Sequence, residues 1–120
     1  MKLFYFEKLE VWQKSRKLTT EMYRMTASFP AEEKFGMTSQ IRRASISIVA
    51  NIAEGISRPT EKDKARFIAL AFGSAMEVIS LLVIAHDLEW IGEEVYVRLR
   101  ADLEEISNML NSLYNKFGKN

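Results

Sequence analysis

The chain contains no cysteine. That excludes disulfides, thiolate zinc sites and cysteine nucleophiles, and it suits a reducing cytoplasm. Only two prolines and five glycines interrupt its 120 residues, which leaves no room for long flexible linkers. The opening segment MKLFYFEKLEVWQ lacks an apolar run long enough for a signal peptide. Neither sign of charge dominates: the net charge is +1, so bulk electrostatics favours no partner. What is abundant is hydrophobic side chain, at 48%. The expectation is a single domain over 1–120 that buries its own core.

Periodicity divides the chain into four helices. The first is expected from Phe6 to Ser28, where Val11, Ser15, Leu18, Met22, Met25 and Phe29 share a face. Pro30 stops it and Gly36 ends the connection. A second helix runs from Thr38 to Ile56. Thr60-Glu61-Lys62-Asp63 then has the form of a capping box and opens a third, expected to reach Ile91. Gly92 suits a left-handed cap, and a fourth helix follows from Glu93 to Phe117. Its apolar positions Val95, Leu99, Leu103, Ile106, Leu110, Leu113 and Phe117 approach a coiled-coil seam. Short connections make neighbours antiparallel, so the expected fold is all-α: an up-down-up-down four-helix bundle.

The segment Phe67–Ala85, FIALAFGSAMEVISLLVIA, is long and apolar enough to span a membrane. Glu77 near its middle opposes insertion at a cost of roughly 2.5–3.5 kcal/mol. Aromatic belts are missing, and the other three helices are amphipathic. A helix buried on two sides of a bundle has the same composition. No membrane partner is expected.

The second helix has more apolar surface than one core requires. Ile41, Ala44, Ser45, Ile48, Ile52 and Ile56 form one face, and Ile46, Val49 and Ala53 add an adjacent flank. Opposite runs a polar stripe of Gln40, Arg43, Ser47, Asn51, Glu54 and Arg58. The extra flank and the apolar third helix together predict a homo-oligomer. A lone Glu77 in an apolar helix calls for a partner. Arg43 or Arg58 is the expected one, within the chain or across subunits, in a structural polar seam.

Catalytic signatures are absent. A di-iron bundle wants two Glu-x-x-His motifs, and the one histidine, His86, has no glutamate three residues before it. No nucleophile elbow, phosphate loop or dinucleotide fingerprint occurs. The pairs Glu32-Glu33, Glu93-Glu94 and Glu104-Glu105 read as solvated helix starts or faces. The expectation is a protein without enzymatic activity, metal or cofactor.

Charge is unevenly spread. From Arg42 to Arg66 six basic residues face three acidic ones, and from Asp87 to Glu105 seven acidic face two basic. Arg42, Arg58, Lys62, Lys64 and Arg66 are the candidate phosphate contacts for nucleic acid, most plausibly structured RNA. Exposed aromatics are not expected to interleave with them as stacking platforms usually do. The alternative is an oligomeric scaffold whose protein partner meets the acidic face of Asp102, Glu104 and Glu105, or an opening of the assembly.

Three stretches carry a family resemblance: FEKLEVWQKSRKL, FPAEEKFGMTSQIRRASISIVANIAEG and FIALAFGSAMEV. They resemble the four-helix-bundle proteins of the 23S rRNA intervening-sequence family, most specifically through Asn51–Gly55 (NIAEG) and the preceding Gln-x-Arg-Arg-Ala at Gln40 to Ala44. The resemblance covers essentially the whole chain. It implies an antiparallel bundle that assembles as a homopentamer. A related accessory protein of diversity-generating retroelements, similar in fold, binds nucleic acid together with a reverse transcriptase. A ring would repeat the basic turn in every subunit.

Overall fold

The structure, a computed structural model, describes residues 1–119. The periodic segments become four helices, α1 (Glu10–Thr26), α2 (Met37–Ile56), α3 (Glu61–Asp87) and α4 (Glu93–Phe117), with no strand among the described residues. Short 3-10 turns at Tyr5–Lys8 and Ala31–Glu33 precede α1 and α2. α3 packs against both α2 and α4, and α1 against α2 and α4.

The core is the set of in-phase residues. On α2, all six residues of the expected face are buried, joined by Thr38 and Gly55. On α4, Leu99, Leu103, Ile106 and Leu110 are sealed, and Phe117 closes the seam. α1 contributes Val11, Ser15, Leu18 and Met22, with Thr26 as a further buried position. Ser15, Thr26 and Ser45 are tolerated inside because each hydroxyl donates to the carbonyl four residues earlier, at 2.7–2.8 Å. α3 presents Ala65, Ala71, Ala75 and Ala85 inward beside Ile68, Val78 and Leu82. Small side chains let two neighbouring helices approach one axis closely.

Two helix ends depart from the periodic pattern. α1 begins at Glu10, not Phe6, because Leu9 is extended and Tyr5–Lys8 form a separate turn. Phe6 is thereby rotated onto Trp12, edge to face at 5.2 Å. α3 ends at Asp87, short of Ile91. Glu89 adopts φ 62°, its N–H donates to the His86 carbonyl at 3.0 Å, and the Trp90 N–H donates to Ala85 at 2.9 Å. This is a Schellman ending with a glutamate in the left-handed position. It turns Trp90 back to pack against Phe29, 5.3 Å away. Gly92, expected to be left-handed, is extended and precedes the first turn of α4.

By length and composition α3 could cross a membrane, yet only 33% of its most apolar stretch is buried within one chain. Leu70, Met76 and Ile84 remain exposed along it, as does Ile46 on α2.

Left-handed backbone costs a non-glycine residue about 1–2 kcal/mol. Glu89→Gly should therefore raise unfolding stability by about 1 kcal/mol in urea titrations; an unchanged or lower midpoint would contradict the assigned helix ending.

Candidate nucleic-acid interface

The turn between α2 and α3 is built on a close approach. A Cβ at Gly55 would lie 2.8 Å from the Phe67 Cβ and 3.4 Å from the Lys64 carbonyl. Only a glycine lets the end of α2 rest directly on the first two turns of α3. The Thr60 hydroxyl accepts the Asp63 N–H at 3.2 Å, capping α3. Asp63 then pairs with Arg66 at 3.6 Å, so only the threonine half of the expected capping box is present.

Phe67, buried at 7% exposure, holds the centre of the site. The Arg58 guanidinium lies 4.5 Å from its ring centroid and the Arg66 guanidinium 4.6 Å. One ring thus holds two cations of the expected set. Glu54 pairs with Arg58 at 3.6 Å, so each guanidinium has one carboxylate neighbour. Lys64 pairs with Glu61 at 3.8 Å and sits over Phe117 at 5.5 Å, where Lys116 approaches the same ring at 5.9 Å. Lys62 is exposed and forms no ion pair among the described residues.

The structure therefore brings Arg58, Lys62, Lys64 and Arg66 together and adds Lys116. Arg42 does not join them. It lies 14 positions before the last residue of α2, about 21 Å along the helix. There it donates to the Thr26 hydroxyl at 2.9 Å and the Tyr23 carbonyl at 3.0 Å, and it stacks on the Tyr23 ring at 4.6 Å. Two of its five N–H donors join α1 and α2, and its place at the other end of α2 corrects its grouping with the basic turn.

The aromatic partners were hidden in the sequence. Phe67 reads as a core residue, while Tyr114 and Phe117 lie about 50 residues from the basic turn. Their arrival depends on α4 ending beside the start of α3. Phe67 and Phe117 lie under the cations but are buried, and Tyr114 is the exposed aromatic residue near them.

The polar stripe of α2 divides. The Asn51 amide donates to the Ser47 carbonyl at 2.9 Å, and the Ser74 hydroxyl of α3 donates to the Ser47 hydroxyl at 2.8 Å. Gln40 and Arg43 face solvent. Glu77 is exposed, and within the chain it pairs with neither Arg43 nor Arg58. The intrachain form of the expected buried seam is thus corrected: Ser47, Asn51 and Ser74 make the link between α2 and α3.

The acidic face of α4 is largely engaged. Glu105 holds Lys14 of α1 at 2.7 Å, and this hydrogen bond raises the lysine pKa above its ordinary value. Glu104 pairs with Arg100 at 3.4 Å. Glu21 of α1 pairs with Arg98 and likewise raises its pKa. Among the described residues no three His, Asp or Glu side chains gather as a metal site would require.

A family model described as 23S rRNA-intervening sequence protein matches residues 7–112. The chain belongs to that family. A crystal structure at 1.70 Å of a protein of unknown function from the S23 ribosomal protein family of Bacteroides thetaiotaomicron VPI-5482 is similar in fold. It has a TM-score of 0.78 and 27% identity over 87% of this chain and 97% of that one. No curated protein matches the chain.

Alanine at position 55 would improve helix propensity by about 1 kcal/mol. The contact with Phe67 involves a rigid Cβ, so the two helices must separate, at about 1–3 kcal/mol. Gly55→Ala is expected to lower the urea midpoint, and a raised midpoint would show that the close approach does not constrain the hairpin.

Proposed function

We propose that this member of the family is a non-enzymatic, self-assembling RNA-binding accessory protein of the cytoplasm. Cross-helix contacts support an up-down-up-down course for the bundle: Arg42 with Thr26, Gly55 with Phe67, and Lys64 with Phe117. The observation that carries the RNA reading is the convergence of Arg58, Lys62, Lys64 and Arg66 on one turn, two of them held on a single ring. Phosphates are bound by such clusters without sequence preference. The free amides at the start of α3 add positive potential to the same place.

Assembly follows from the surface left over. Ile46 is 47% exposed, Met76 38% and Ile84 42%. Together with the exposed small residues Ala50 and Gly73 they leave apolar surface on α2 and α3 that other copies of the chain would cover. Glu77, exposed on α3, disfavours lipid as the covering phase and leaves Arg43 of a neighbouring subunit as its natural partner. The arrangement we propose is a ring-shaped homo-oligomer, pentameric as the family resemblance implies.

Light scattering on a sizing column should return five times the 13.9 kDa chain mass. Met76→Glu should shift that peak toward monomer, and a wild-type monomer would contradict the assembly. Lys62→Glu, Lys64→Glu and Arg66→Glu combined should abolish RNA retention without changing the oligomer, since acidic residues also suit a helix start. If the wild-type affinity for RNA does not fall steeply with added salt, phosphate contact is not its basis.

A further inference from the structure

Beside the basic turn, α3 and the end of α4 enclose an open groove of about 550 Å³. Its lining is Lys62, Ala65, Arg66, Ala69, Leu70, Tyr114, Phe117 and Gly118. Charge and apolar surface are combined there in a particular way. Lys62 and Arg66 lie one turn apart on α3, while alanine, leucine and aromatic side chains supply the rest. Tyr114 is 44% exposed, unlike the buried Leu99, Leu103, Ile106, Leu110 and Phe117 of the same helix. A Cβ at Gly118 would lie 3.9 Å from the Tyr114 ring, so the glycine leaves that edge of the ring uncovered.

We infer that this groove is a stacking site for an unpaired nucleobase of RNA, with Tyr114 as the platform and Lys62 and Arg66 on the flanking phosphates. A duplex keeps its base faces stacked on one another and offers a protein chiefly phosphates and sugars. It would use the two cations and leave the aromatic and apolar surface idle. A single-stranded segment uses both, because every base has a free face for an aromatic ring while its backbone follows the positive charge. Lys62 forms no ion pair among the described residues, and Arg66, stacked over Phe67, has one ion-pair contact, with Asp63 at 3.6 Å. Tyr114 needs no rearrangement to be reached. The inference rests on the RNA-binding reading above and narrows it: within a folded RNA, the protein takes loops or single-stranded ends.

Fluorescence anisotropy of the full-length protein with a labelled single-stranded RNA, and with the duplex of the same sequence, tests this. Wild-type protein is expected to bind the single strand more tightly. Tyr114→Ala should weaken single-strand binding about tenfold, leave duplex binding within about twofold, and leave the oligomer unchanged. Tyr114→Phe should retain most of the affinity, since stacking needs the ring and not the hydroxyl. Lys62→Glu should weaken both probes. Equal affinity of Tyr114→Ala and wild type for the single strand would overturn the stacking site while leaving phosphate binding intact. A wild-type preference for duplex would do the same. Failure of wild-type protein to bind either probe would overturn the RNA reading itself, and displacement of the strand by polyglutamate equally from wild type and Tyr114→Ala would reduce the groove to a charge effect.

Discussion

The place of α3 is the constraint on which the structure depends. One helix must pack along α2 and α4 at once, and it does so through alanines where its neighbours come close. Gly55 extends the same solution to the turn, where the absence of a Cβ lets α2 rest on Phe67. With the hairpin drawn tight, Phe67 is buried and its ring holds Arg58 and Arg66 in place. A bulkier residue at position 55 would push α3 outward and disturb the core and the cation cluster together. Stability and the candidate site therefore share one contact.

The outer surfaces of the helices express different physics. Between α1 and α4 the bundle is joined at its rim by Lys14–Glu105 and Arg98–Glu21, pairs that remain in water and fix orientation more than they add stability. Between α2 and α3 the outer link is uncharged, made of Ser47, Asn51 and Ser74. Ile46 of α2 and Met76 and Ile84 of α3 stay in solvent. Ion pairs thus join α1 to α4, whereas none joins α2 to α3 among the described residues. The basic turn lies at the start of α3, so in a closed ring the cations of every subunit would form one belt, and a long RNA could engage several turns simultaneously.

Helix positions were largely legible in the sequence because a 3.6-residue period reports directly which side faces a core. Every residue of the expected α2 face is buried, and the α4 seam is buried at its centre. Helix ends were less so. Nothing local distinguishes Glu89 from its neighbours as a left-handed residue, whereas Gly92 carries the usual signal for one. Tertiary packing decided the matter: the pairing of Trp90 with Phe29 requires the chain to turn before Gly92 can contribute. At the candidate site the sequence identified Arg58, Lys62, Lys64 and Arg66, which cluster locally around one turn. It misplaced Arg42, whose position 16 residues upstream of Arg58 says nothing of the Thr26 hydroxyl waiting on another helix.

By itself, then, the sequence determined the all-helical architecture, the core faces, the absence of familiar catalytic motifs and the local run of cations. These follow from periodicity and composition, which act over a few residues. The tertiary structure alone decided that Tyr114 and Phe117 meet the basic turn, that Glu77 stands in solvent instead of in an intrachain seam, and that Glu105 pairs with Lys14 of α1. Each of these depends on how helices far apart in the chain meet. Their relative rotation and axial offset are set by how the whole core packs, and no short stretch of sequence encodes them.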